Sequence, residues 1–151
     1  MPTHPTWEYK GRLITDVADM PEGTFGFIYM IIHTPTNKRY IGKKVLYFNR
    51  KQKLTKKEIA ELTGPGRKPT TKIVTKESDW KDYYGSNKDL QVLVRTHPSE
   101  QFQKQILEFA PNKKLLTYYE CKYLFKYEVL ETPDMYFNDN VLGKFYRKDF
   151  L

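Results

Sequence analysis

The segment FGFIYMIIHTPTNKRYIGKK (residues 25–44) decides the fold, because it places two apolar runs on either side of a turn. The runs GFIYMIIHTP and RYIGKKVLYF are rich in β-branched and aromatic residues and lack helical spacing, which is typical of strands. Pro35 presets a turn between them, and Asn37 tolerates a positive φ. The segment therefore predicts a β-hairpin.

Two capping patterns predict the helices that follow the hairpin. Thr55 and Glu58 form a Thr-x-x-Glu capping box at the start of a short helix. Ser86 and Asp89 form a second such start, for a helix that ends before the next proline. Between the two helices, the glycines and prolines of Gly64–Lys72 break both helix and strand, so this stretch is predicted to be a basic, mobile loop.

The C-terminal half adds one strand and one longer helix. FQKQILEFA (102–110) is predicted to be a third strand, and Asn112 is predicted to cap a helix over 113–130 that ends before Pro133. The simplest packing of these elements is an α+β fold with a small central antiparallel three-stranded sheet flanked by helices.

The expected organisation is a single compact domain, because 151 residues leave little room for a second. Residues 1–24 form an N-terminal lead-in with one short strand around Leu13–Ile14. Residues 25–140 form the domain itself, with a basic insert at about 51–85, and residues 141–151 form a basic, aromatic tail.

The overall charge points to a polyanionic partner. A net charge of +8 and a pI of about 9.4 are typical of domains that bind nucleic acid or an anionic membrane surface. Alternatively, the charge only keeps the protein dispersed. No apolar run approaches the roughly 18 residues of a membrane span, and the N-terminus lacks a signal-peptide core. One cysteine, Cys121, excludes a disulfide framework and a Cys-rich zinc site, so a cytoplasmic location is expected.

Basic residues cluster after the hairpin. Between residues 43 and 77, eleven lysines and arginines face only three glutamates, and aromatic residues are interleaved with them. This pattern favours contact with a nucleic-acid backbone, with aromatic rings available to stack on bases. A solvated basic face is the alternative. The predicted DNA contacts in the insert are Lys51, Lys53, Lys56, Lys57, Arg67, Lys68 and Lys72.

Glu120 lies on the apolar face of the predicted long helix, because Leu116, Tyr123, Leu124 and Tyr127 surround it at three- and four-residue offsets. A carboxylate there costs on the order of several kcal/mol unless it is paired or binds a cation. It therefore either leans to the rim and pairs with a Lys or Arg, or it is the one protein ligand of a Mg²⁺ ion completed by water and substrate phosphate.

Tyr29 and Tyr40 lie on the two paired strands of the predicted hairpin. A phenol with a pKa of about 10 is a poor base at neutral pH. Nearby cations would favour the phenolate, and four are close in sequence: Lys38, Arg39, Lys43 and Lys44. The alternative is that both tyrosines are ordinary half-buried sheet aromatics.

These residues together resemble the GIY-YIG nuclease superfamily, with FIY in place of GIY. Tyr40 follows Tyr29 by 11 residues, as in the hairpin of that family. Arg50 follows 10 residues later, where the family carries its catalytic arginine on the next helix. Glu120 resembles the metal-binding glutamate, and Asn138 resembles the asparagine near the end of the fold.

The resemblance covers roughly residues 25–140, and the segments DWKDYYGSNKDL and FQKQIL are similar to phage-encoded members. Three features depart from the family pattern. Phe27 replaces the usual glycine, Leu54 replaces a polar residue one turn after the arginine, and the stretch between Arg50 and Trp80 is long enough to hold an inserted DNA-contacting loop.

The resemblance implies Mg²⁺-dependent hydrolysis of DNA phosphodiester bonds. One Mg²⁺ on Glu120 would polarise the phosphate and stabilise the leaving 3′ oxygen. Tyr29 is the expected base, with Tyr40 as its partner, and Arg50 would neutralise charge developing on the phosphate. Two further candidates would contact the phosphate or depress a tyrosine pKa: Lys43 and Lys44. Asn138 completes the predicted DNA contacts.

Three functions remain open from the sequence. The first is a DNA endonuclease, encoded by a phage or a mobile element. The second is a catalytically inactive nucleic-acid-binding module on the same scaffold, and the third is a basic structural protein. The presence of every catalytic residue type favours the first, and the sequence leaves monomer and dimer equally open.

Overall fold

The computed structural model describes residues 5–150. The strands and α-helices of this range are β1 (Trp7–Tyr9), β2 (Arg12–Ile14), β3 (Gly26–His33), β4 (Lys38–Val45), β5 (Tyr47–Lys53), α1 (Lys56–Ala60), β6 (Thr71–Glu77), α2 (Lys88–Thr96), β7 (Phe102–Ala110), α3 (Lys113–Lys126), β8 (Asn140–Val141) and β9 (Phe145–Tyr146). Among these elements, none of the helices combines the length and the apolar character needed to cross a membrane.

The predicted hairpin is confirmed as the antiparallel pair β3–β4. Its register places Tyr29 opposite Gly42 and Ile31 opposite Tyr40. Asn37 adopts the expected positive φ, 59°, in the turn. The two tyrosines are therefore offset along the hairpin and lie on the same face, because cross-strand partners share a face.

The prediction of a three-stranded antiparallel sheet is wrong. The sheet has five strands in the order β2-β1-β7-β3-β4, and it is mixed because β1 runs parallel to β7. The N-terminal lead-in contributes both extra strands, where the sequence indicated one. Pairing with β1 covers the open edge of β7, and Trp7 of β1 is fully buried against Phe27, with ring centroids 5.0 Å apart.

The two faces of the sheet carry different helices. On one face, Leu116 and Leu124 of α3 pack with Ile28 and Met30 of β3. On the other, Leu90 of α2 belongs to the cluster around the aromatic residues of β1 and β3. The central strand β3 is buried along its whole length, which explains its continuous apolar sequence.

The predicted loop and the predicted helix over 113–130 both need correction. Thr71–Glu77 is a strand, so Lys72 lies in regular structure, and β6 pairs with β5 as a two-stranded ribbon. The main chain of Leu54 closes the ribbon by donating to the carbonyl of Thr70. Helix α3 ends at Lys126, because the chain turns through a positive φ of 51° at Glu128.

Of the three predicted caps, two are confirmed and one is shifted. Thr55 and Glu58 form the capping box of α1, and the Asn112 side chain accepts the main-chain N–H of Leu115 at the start of α3. Helix α2 is capped by Asn87, which accepts the N–H of Leu90, rather than by Ser86. The Ser86 hydroxyl is used elsewhere, at the tyrosine of β4.

Candidate active site

A cleft of about 670 Å³ runs along the outer edge of β4. Because β4 ends the sheet order, side chains from both faces of the sheet can reach this edge. The N-terminus of α2 lines the cleft on one side and α3 on the other, and the segment 138–143 closes it. Its principal polar side chains are Tyr40, Lys43, Ser86, Lys88, Glu120 and Asp139.

Glu120 reaches the cleft from the middle of α3. Leu116 and Leu124, one turn away on each side, are buried in the core, whereas the Glu120 side chain is 17% exposed. Lys43 Nζ lies 3.8 Å from Glu120 Oε1 and donates to Thr117 Oγ1. Burial raises the pKa of Glu120, and the lysine opposes this effect. The first alternative raised by the sequence, pairing with a lysine, is therefore present in the structure. The second, binding of Mg²⁺, stays a prediction.

Tyr40 reaches the cleft from the opposite face of β4. Its hydroxyl lies 3.3 Å from Ser86 Oγ, at the start of α2. Burial raises its pKa, with the hydrogen bond to Ser86 acting in the opposite direction. The expectation that nearby lysines depress a tyrosine pKa is not met, because Lys43 turns to Glu120 and Lys44 pairs with Asp79 at 2.6 Å.

Tyr29 lies behind Tyr40 rather than in the cleft. It is 1% exposed, its ring centroid is 6.2 Å from that of Tyr40, and it bonds to the Tyr83 side chain. Its hydroxyl occupies the space beside Gly42, where an added Cβ would lie 2.4 Å from Oη. A side chain at residue 42 would collide with the Tyr29 hydroxyl on the neighbouring strand, so this position requires glycine. Burial raises the pKa of Tyr29 well above its usual value.

Asn138 lines the cleft and holds the β4 edge in place. Its Oδ1 accepts the N–H of Ile41 at 3.1 Å, and its Nδ2 donates to the carbonyl of the same residue at 2.8 Å. Both amide atoms are engaged by buried main chain, which gives Asn138 a positioning role at this edge. The predicted DNA contact of Asn138 stays a prediction. Arg147 supports this segment by donating to the carbonyls of Tyr136 and Asn138.

Arg50 lies on β5 and not on a helix, which corrects its expected setting. It is exposed, pairs with Val74, and is absent from the lining of the cleft. The structure therefore brings together Tyr40, Lys43 and Glu120, with Tyr29 behind them, and leaves Arg50 on the ribbon.

The other predicted DNA contacts all lie on or beside the ribbon. They are divided among β5 (Lys51, Lys53), α1 (Lys56, Lys57), the loop that follows it (Arg67, Lys68) and β6 (Lys72). The segment 47–77 carries nine lysines and arginines against three glutamates, an excess of six positive charges in a protein whose net charge is +8.

Six polar residues that line the cleft are not among the predicted site residues: Ser86, Asn87, Lys88, Asp89, Asp139 and Asn140. Ser86 was interpreted as a helix cap, because the Ser-x-x-Asp pattern is local and its partner Tyr40 lies 46 residues away. Asp139 had one available signal, its position next to Asn138.

The carboxylates of the cleft suit a hard cation that keeps much of its water. Within residues 5–150 there is no group of three or more His, Cys, Asp or Glu side chains able to hold a metal. Glu120 and Asp139 both face the cleft, and Mg²⁺ is commonly bound by one or two carboxylates together with water and substrate phosphate. These residues fit such an ion.

The chain matches a known family over most of its length. The family model described as "Putative endonuclease segE, GIY-YIG domain" matches residues 7–141. No curated protein and no solved structure matches the chain at a significant level. The matched range begins at β1 and ends at β8, so it includes the whole five-stranded sheet and most of the cleft.

Proposed function

Because the chain belongs to the GIY-YIG nuclease family, we propose that it is an endonuclease that hydrolyses DNA phosphodiester bonds with the help of one Mg²⁺. The observation that supports this most directly is the cleft on the β4 edge, where a phenol, an ammonium and a carboxylate meet. We further propose that it acts in the cytoplasm of a host cell and is encoded by a phage or a mobile element.

In the proposed mechanism, Tyr40 is the general base. Its hydroxyl opens into the cleft and is oriented by Ser86, so it can accept a proton from a water placed against the phosphate. The ring of Tyr29, which belongs to the buried aromatic cluster, packs against the ring of Tyr40 and holds it in position. This assignment exchanges the roles expected for the two tyrosines, because Tyr29 has no access to solvent or substrate.

Glu120, with Asp139 nearby, would hold the Mg²⁺. When bound, this ion supplies positive charge at the scissile phosphate and at the leaving 3′ oxygen. Lys43 is placed to bind a non-bridging phosphate oxygen, since it lines the cleft and its side chain is 40% exposed. Its loose contact with Glu120, 3.8 Å, leaves it free to exchange partners when DNA enters.

The direct test is plasmid cleavage with the 151-residue chain. Supercoiled DNA should be converted to nicked or linear forms in Mg²⁺ and should remain intact in EDTA. Binding without cleavage in Mg²⁺ or Mn²⁺ would instead support the second candidate, an inactive DNA-binding module on the same scaffold, for which the basic segment 47–77 is the favouring observation.

Arg50→Ala should weaken DNA binding but reduce kcat at saturating DNA by less than about tenfold, because Arg50 lies outside the cleft. Single-turnover cleavage with Lys51→Ala as the neighbouring control measures this. A loss of about 2–4 kcal/mol in transition-state stabilisation, the range of an oxyanion donor, would contradict the assignment. It would show that the ribbon closes over the cleft on bound DNA.

A further inference from the structure

The two faces of the β5–β6 ribbon differ in what covers them. Opposed residues of an antiparallel pair share a face. One face carries the pairs Arg50–Val74 and Gln52–Lys72, and the other carries Asn49–Thr75, Lys51–Ile73 and Lys53–Thr71. We call this second set of six residues the open face.

Helix α1 lies on the side opposite to the open face. Lys72 Nζ donates to Glu58 Oε2 of α1 at 2.5 Å, and Val74 is half-buried, whereas the other residues of β5 and β6 are exposed. On the open face, by contrast, the Ile73 side chain is 69% exposed. No contact with α1 covers the open face, so all six of its residues are exposed and accessible to a partner.

The open face presents hydrogen-bonding groups and one apolar side chain. The Thr75 hydroxyl donates to Asn49 Oδ1 at 2.9 Å, which orients the amide. Within residues 5–150 the Asn49 amide nitrogen makes no further hydrogen bond, so its hydrogens point to solvent. Asparagine amides pair with adenine, lysines with guanine, and apolar side chains with the thymine methyl group.

We propose that the open face is inserted into the major groove of duplex DNA and reads base sequence there. This inference rests on the proposed function. The B-DNA major groove, about 12 Å wide, admits a two-stranded ribbon, and seven residues per strand give the ribbon a length of roughly 23 Å. The positive charge of segment 47–77 is complementary to the phosphates on both sides of the groove.

The base of the ribbon is tied to the end of β4, the strand whose edge lines the cleft. Strand β5 begins two residues after β4 ends, and the intervening Leu46 is fully buried. At the other end of the ribbon, Ser78 donates its N–H to the Leu46 carbonyl at 2.7 Å and its hydroxyl to the Val45 carbonyl at 2.6 Å. The open face therefore reads bases at a constant distance from the cleaved bond.

The test measures base preference in two ways. One is cleavage of a randomised duplex library followed by sequencing of the ends, and the other is selection of bound duplexes without Mg²⁺. Asn49→Ala and Ile73→Ala should each reduce discrimination at one or two positions by about tenfold, while the rate on disfavoured sites changes by less than about threefold. Gln52→Ala, on the face next to α1, is the matched control and should leave both profiles unchanged.

Three outcomes separate this inference from the proposed function. Cleavage or binding by the wild type without base preference would overturn the inference and leave the nuclease intact. Unchanged profiles for both open-face variants would do the same. Absence of Mg²⁺-dependent cleavage would overturn the proposed function, and the binding selection would still decide whether the open face reads sequence.

Discussion

Replacing Glu120 with glutamine should reduce Mg²⁺-dependent cleavage by about a thousandfold, because the metal's several kcal/mol of charge stabilisation at the phosphate depend on this carboxylate. Glutamine keeps the size of the side chain and the packing of α3 around it, so folding and DNA affinity should change little. Cleavage of plasmid under single-turnover conditions measures the loss. Calorimetric titration with Mg²⁺ measures the metal affinity, which should fall in parallel.

Glu131→Gln provides the matched control for this change. Glu131 is exposed, lies beyond the end of α3, and is absent from the cleft lining. The Glu131→Gln variant loses the same negative charge as Glu120→Gln and should cleave DNA at the wild-type rate. Full activity of Glu120→Gln, with unchanged Mg²⁺ affinity, would eliminate the proposed metal site.

Tyr40→Phe should reduce cleavage by about a hundredfold and should also remove the pH dependence of the rate. The base must be ionised to accept a proton, and burial raises the pKa of Tyr40 above its usual value. Between pH 7 and 9 the ionised fraction is then small and increases about tenfold per pH unit. The logarithm of kcat should therefore rise with a slope near one in the wild type and be flat in the variant.

Tyr29→Phe is the comparison that distinguishes the two tyrosines. It removes one hydroxyl from the same aromatic cluster but none from the cleft lining. Rates measured at saturating DNA and Mg²⁺ should fall by less than about tenfold, with the slope retained. If Tyr29→Phe loses the slope and Tyr40→Phe keeps it, the base is the buried tyrosine, and the assignment made from the cleft geometry is wrong.

Several elements were predictable because their signals are local. The hairpin follows from two apolar runs and one turn, and the caps at Thr55 and Asn112 follow from side chains that bond three residues ahead. The position of Glu120 on the same helix face as Leu116 and Leu124 follows from helical periodicity. Family resemblance added the roles of the site residues, which no local pattern contains.

Other elements depend on partners that are distant along the chain. The parallel pairing of β1 with β7 joins segments about 100 residues apart, and no turn signal marks it. The strand TKIVTKE follows a Gly- and Pro-rich stretch and has no turn signal that links it to β5. Arg50 pairs with this distant strand, whereas the family resemblance implies a helix at that position.

Short-range patterning was thus sufficient for the hairpin, the long helix and the presence of a phenol, a carboxylate and a basic cluster in one chain. Which of these side chains share a cleft was settled by packing alone. Tyr40 faces the cleft, whereas Tyr29 is buried. Trp7 and Tyr83 pack against the Tyr29 ring, and Gly42 lies beside its hydroxyl. The exposure of a side chain depends on the residues that pack over it. For Tyr29 those residues, Trp7 and Tyr83, are distant along the chain.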